Sequence, residues 1–209
     1  MVENYFNIQK ENEVRKKSHI SLARYIVESL DTKDLTKHKK AFYLGSILPD
    51  CKPTFLTTKH EFGGTFDKVQ EDIKKLTQAS DINLSNQRAY CRDLGQVIHY
   101  IADYFTFPHN SNYDGSLKDH CIYEEHLKLG LREYIRSGEA KKNIGKFIRF
   151  ESLDALFKFI KEAHEEYLKF KRSVQEDCKY IVNLTHQVVQ SIIYLFEKEV
   201  NRIKYRCVA

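Results

Sequence analysis

His99-Tyr-Ile-Ala-Asp103-Tyr-Phe-Thr-Phe-Pro108-His109 is the stretch on which the reading of this chain turns. The segment leading into it, RAYCRDLGQVIHYIADYFTF, has helical periodicity that must end before Pro108, because proline disfavours helical geometry in the residue before it. His99 and Asp103 stand four apart, about 6 Å of helix rise, with both side chains on one face. A neutral imidazole and a carboxylate so placed can reach one metal ion, and a carboxylate can bridge two. His109 follows where the chain has just turned.

Working outward, the rest of the chain reads as helix nearly throughout. Upstream, Ser18 is placed to cap a helix from about His19 to Leu30, and AFYLGSIL stops at Pro49. Pro53, Gly63 and Gly64 mark a loop, and Thr65 or Asp67 opens the charged helix FDKVQEDIKKL. Asn83 or Ser85 precedes the segment that holds His99. Downstream, FPHNSNYDGS is the clearest loop, LKDHCIYEEHLKLGLREYI is helical up to Ser137-Gly138, and two amphipathic helices close the chain. No segment alternates as strands do, and no internal repeat is present. The expectation is an all-α single domain over residues 1–209, with 1–17 as a possible N-terminal tail.

Composition narrows the class. With 209 residues, 42% hydrophobic and 30% charged, the chain can bury a core, and 8 Gly, 3 Pro and 5 Cys exclude collagen-like, disordered and disulfide-scaffold classes. No apolar run is long enough for a transmembrane segment, and the N-terminus has no secretory core. The cysteines form no CxxC pair, which points to free thiols and a cytoplasmic setting. A net charge of +5 is spread along the chain and implies no nucleic-acid surface by itself.

Histidines and carboxylates are clustered rather than scattered. His120 and Glu124 repeat the four-residue spacing on another helix, Asp50 follows Pro49 at a helix end, His60 lies in the glycine-flanked loop, and His19 opens the first long helix. His38, His126, His164 and His186 have no such partners and read as ordinary helix residues. Aromatic side chains near the candidate ligands, Phe55, Phe62, Phe66, Tyr104 and Phe107, read first as packing and second as walls for a substrate. HExxH, an adjacent His-Asp dipeptide, a phosphate loop and a nucleophile elbow are all absent.

The ordered series His19, LGSILPD ending at Asp50, His60, HYIADYFTFPH, and the pair His120 and Glu124 resembles zinc-dependent phospholipase C and the related single-strand-specific zinc nucleases. The likeness covers roughly residues 15 to 130 and implies an all-α bundle carrying two to three zinc ions. It implies that His60, His99 and Asp50 hold one ion, that Asp103 bridges it to a second served by His19, and that His109, His120 and Glu124 hold a third. In that family a freed N-terminal amine chelates the second ion; here either the amine of Val2, after removal of Met1, is the counterpart, or the segment up to Lys17 is a tail and that site stays incomplete. Cys51 stands where phosphocholine-selective members have an aromatic residue.

The implied activity is hydrolysis of a phosphodiester by metal-activated water, with Asp50 accepting the proton. The implied substrate is a phospholipid headgroup or another phosphodiester, with possible peripheral membrane contact. The rival readings are a zinc nuclease of the same superfamily, acting on nucleic acid, and a non-catalytic helical metal-binding module. HxxxE rather than HxxxD at His120 and Glu124 leans toward the phospholipase branch.

Overall fold

Asn86 starts the helix that the fold is built around: its side-chain oxygen accepts the Ala89 N–H at 3.0 Å. A computed structural model describes residues 2–51, 61–169 and 173–206, with side chains from residue 16 onward except those of 81 and 82. In chain order the helices are α1 (Val2–Leu30), α2 (Lys33–Lys37), α3 (Lys39–Ile47), α4 (Phe62–Thr77), α5 (Asp81–Ser85), α6 (Gln87–Tyr104), α7 (Leu117–Arg136), α8 (Glu139–Asn143), α9 (Leu153–Tyr167) and α10 (Val174–Arg206). Short 3-10 turns at Pro49–Cys51 and Phe107–His109 follow α3 and α6. The described residues form an all-α bundle without strands.

Leu94, Val97, Ile98, Ile101, Ala102 and Tyr104 are buried on one face of α6, and Gly95, His99, Tyr100 and Asp103, buried as well, fill the other side. Such a helix must be covered on every side. α3, α4 and α10 pack directly on it, while α1 lies against α3 and α7. α3 reaches α6 unusually closely because each contributes a glycine to the crossing. A Cβ added at Gly45 would sit 1.9 Å from the Arg92 carbonyl oxygen, and one at Gly95 would sit 2.3 Å from that of Phe42. Backbone therefore meets backbone, which brings the end of α3 and the turn after it against the face of α6 that carries His99.

α7 begins with a capping box. The Ser116 hydroxyl accepts the Asp119 N–H at 3.2 Å, and the Asp119 carboxylate accepts the Ser116 N–H at 3.0 Å. His120 and Glu124 thus fall in the first two turns of a helix with a fixed start. α7 ends at Arg136, capped by Ser137, with Gly138 in the left-handed region at φ 80°, as the Ser-Gly break predicts.

Three expected boundaries shift. Ser18 does not cap a helix; α1 runs through it from Val2, so residues 2–17 continue the same helix. Gly63 and Gly64 lie in the first turn of α4, not in a loop before it. There the Thr65 hydroxyl donates to the Glu61 carbonyl at 2.9 Å, and Phe62 stacks on His164 with ring centroids 4.1 Å apart, which draws the helix start back to Phe62. Ser85 ends the short α5, and the cap of α6 is Asn86. Among the described residues no helix is long and apolar enough to cross a membrane.

Candidate metal centre

Asp103 sits in the last turn of α6, 2% exposed, where histidines from three elements converge on it. Its Oδ1 is 3.3 Å from His19 Nε2 on α1. Its Oδ2 is 3.3 Å from His99 Nε2, one turn back on α6, and 3.8 Å from His109 Nδ1 in the turn after α6. Burial on its own raises a carboxyl pKa, but the neighbouring charges of His109, His99 and His19 and the hydrogen bond from His19 hold this one well below the usual carboxylate range.

His99 is fully buried, and its orientation is set from behind. Nδ1 lies 2.9 Å from the Ser46 carbonyl at the end of α3, so Nδ1 carries the proton and donates it. Nε2 then faces Asp103 and Asp50, whose Oδ1 is 3.6 Å away. Asp50, 3% exposed, comes from the 3-10 turn after α3. A backbone carbonyl on the far nitrogen is the usual means of fixing a metal-binding imidazole. The His19 and His99 rings lie with centroids 4.1 Å apart.

A second group adjoins the first. His109 Nε2 is 3.0 Å from Glu124 Oε1, and His120 Nε2 is 3.5 Å from the same oxygen. Glu124 and His109 are buried, while the His120 side chain is 18% exposed. A cavity of about 20 Å³, room for one water, lies between the groups and is bordered by Ser18, His19, Asp103, Thr106 and Glu124.

The donor chemistry fits a metal ion. His19, His99 and Asp103, and separately His109, His120 and Glu124, each offer one ligand atom within 4.8 Å of the others. In tetrahedral zinc with bonds of about 2.05 Å, neighbouring ligand atoms are about 3.3 Å apart. The 3.3 Å separations around Asp103 and the 3.5 Å separation of His120 from Glu124 match that edge.

The structure thus brings the expected ligands together, except His60, which lies outside the described residues together with Phe55. The Val2 amine is not near them. α1 is continuous from Val2 to His19, about 25 Å at ~1.5 Å per residue, so the amine lies far along the helix axis from the site. Phe66 and Tyr104 are core side chains rather than walls of a cleft, and the Tyr104 hydroxyl is spent on Thr65 at 2.9 Å.

The residue pattern named no role for Ser46, Asn110 or Asp177. Asn110 donates to the Thr106 carbonyl at 2.9 Å and accepts from His164 Nε2 at 2.8 Å, which ties the loop after His109 to α9. Burial pushes the His164 pKa down to about 4, so the ring is neutral and structural. No local spacing marks the Ser46–His99 and Asn110–His164 contacts, which span 53 and 54 positions of sequence.

The zinc dependent phospholipase C family matches residues 18–174. The chain belongs to that family. The match runs from the end of α1's polar half to the first residue of α10 and takes in both ligand groups. Comparisons with curated proteins and with solved structures gave no match.

Proposed function

We propose that this chain is a zinc-dependent phosphodiester hydrolase of the phospholipase C type, with its ligands at His19, Asp50, His60, His99, Asp103, His109, His120 and Glu124. The observation that carries the reading is Asp103, whose two oxygens face His19 and His99 separately while His109 approaches from a third side. That is the arrangement a bridging carboxylate needs, and it adjoins a further group of three ligands. Zinc bound there supplies a Lewis acid for phosphate oxygens and lowers the pKa of a bound water toward ~7.

The protein's own side chains do the rest. Ser46 holds the His99 tautomer, and Asp50, buried beside His99 Nε2, accepts the proton that water gives up as its oxygen bonds to phosphorus. The ester oxygen departs with the alcohol, leaving a phosphomonoester. His109, His120 and Glu124 would hold an ion that offsets charge developing on the leaving oxygen. The substrate class is a phosphodiester, with a phospholipid headgroup as the form the family favours, met at a membrane surface by peripheral contact.

Elemental analysis of the purified protein, followed by a substrate panel, tests this. Two to three zinc ions per chain and release of phosphomonoester from phospholipid are expected. Cleavage of single-stranded DNA but not phospholipid would move the protein to the nuclease branch. A fully loaded protein that hydrolyses neither would leave it a non-catalytic metal-binding module.

A further inference from the structure

Asp177 is 0% exposed in the first turn of α10 and receives three hydrogen bonds from three separate elements. Oδ2 accepts the Phe107 backbone N–H at 2.9 Å and the Tyr123 hydroxyl at 2.8 Å. Oδ1 accepts the Tyr167 hydroxyl at 2.7 Å from the end of α9. Phe107 opens the 3-10 turn that ends at His109, and Tyr123 immediately precedes Glu124 on α7. One carboxylate therefore grips, from behind, both segments that supply the outer ligand group.

All three of these donors are neutral. Burial pushes the Asp177 pKa up to about 6 against the pull of its hydrogen bonds, and Glu124 is near enough to add to the rise. Burying two carboxylates in one region is costly unless a cation offsets them. The His109–His120–Glu124 group is where the donor chemistry would place that cation.

We infer that Asp177 is the outer-sphere positioning residue of the His109–His120–Glu124 metal site, holding the Phe107–His109 turn and the Glu124 turn of α7 at the separation one divalent ion requires. This rests on the metal reading proposed above for the same group. Tyr123 transmits the hold to Glu124, and the Phe107 amide transmits it to His109. Tyr167 anchors the carboxylate to α9, which carries none of the proposed ligands.

Zinc titration of the full chain against a competing chelator, with ion counts per chain, tests the assignment. His120→Ala identifies the ion of this group as the one it removes. Asp177→Asn is expected to weaken that same ion by about 10–100-fold, the usual range for an outer-sphere partner, and to leave the others unchanged. Tyr123→Phe should weaken it in the same direction, and Tyr167→Phe should lower the melting temperature without changing its affinity. This split separates positioning from stability, and it decides the matter even if Asp177→Asn fails to fold. Unchanged zinc affinity in Asp177→Asn and Tyr123→Phe, with the His120-dependent ion present in wild type, overturns this assignment alone. A wild-type protein with no His120-dependent ion overturns both the assignment and the metal reading beneath it.

Discussion

The two candidate ligand groups are neighbours built from different material. The inner group takes His19, His99 and Asp103 from α1 and α6, with Asp50 from the turn after α3, and every one of these side chains is buried. Its geometry is a by-product of how the helices cross, since Gly45 and Gly95 let α3 approach α6 until the Ser46 carbonyl meets His99. The outer group takes His109 from a three-residue turn and His120 and Glu124 from a single helix, with His120 partly in solvent. A site made by helix crossings is lost only when the packing is lost. A site that includes a short turn can come apart while the bundle stays folded, so it needs a tether of its own.

The sharpest way to break the comparison is at the carboxylate both groups approach. Asp103→Asn replaces a two-oxygen anion with an amide and should remove at least one ion. It should also cost at least about a thousandfold in hydrolysis, about 4 kcal/mol of transition-state stabilisation. Metal analysis and phosphodiester turnover check it, and retention of both would show that Asp103 does not join the groups. His186→Ala, at a residue that borders a separate cavity with Asn143 and Ile144, should leave metal content unchanged.

Next in size is a change that touches no ligand. Gly95→Ala forces a methyl into the Phe42 backbone and should separate α3 from α6, at a cost of about 3 kcal/mol in denaturant unfolding. The inner ions should weaken with it, because Ser46 moves away from His99. A variant of wild-type stability would mean that the crossing has room to spare.

His120→Ala should be milder and more local. One ion is lost while the inner ions stay, and stability in excess zinc falls by about 2.7 kcal/mol for zinc at a hundred times its dissociation constant. Without zinc the variant and wild type should unfold alike, within about 0.5 kcal/mol. Loss of every ion together would show that the groups are not separable.

The smallest effect is a pH dependence in the metal-free protein. His164 has its folded pKa lowered to about 4, so its contribution is complete above the unfolded value near 6.5 and is lost as pH falls toward 4. Asp177 works in the opposite sense. Its folded pKa is raised to about 6, so its contribution is fully present below the unfolded value near 3.9 and is lost as pH rises through 6. In wild type the two oppose each other across the same window. His164→Gln should uncover the Asp177 trend, with stability rising by roughly 2 kcal/mol relative to wild type between pH 7 and pH 4.5. Parallel pH curves for the two proteins would remove His164 from the account.

Legibility followed sequence distance. The helical reading of α6, α7, α9 and α10 and the break at Gly138 were available from periodicity and turn residues alone. Ser18 misled because a good capping residue is also tolerated inside a helix, where its neighbours rather than its own preference decide where the helix starts. Gly63 and Gly64 misled in a similar way. Glycine signals a break, but the stacking of Phe62 on His164 extends α4 back over them.

The spacing of residues by itself determined the two four-residue pairs, His99 with Asp103 and His120 with Glu124, because the pitch of a helix puts such residues on one face whatever surrounds them. Tertiary structure alone decided that His19 would meet Oδ1 of Asp103 and that His109 would come back to Glu124. It also decided that the Ser46 carbonyl would meet His99 and that Asp177 would accept the Phe107 amide, contacts that no local pattern marks. Those contacts depend on where helices cross, and a crossing is set by the shapes of two surfaces at once: a glycine on each side at Gly45 and Gly95, and a buried acid on α10 reaching a turn 70 residues away.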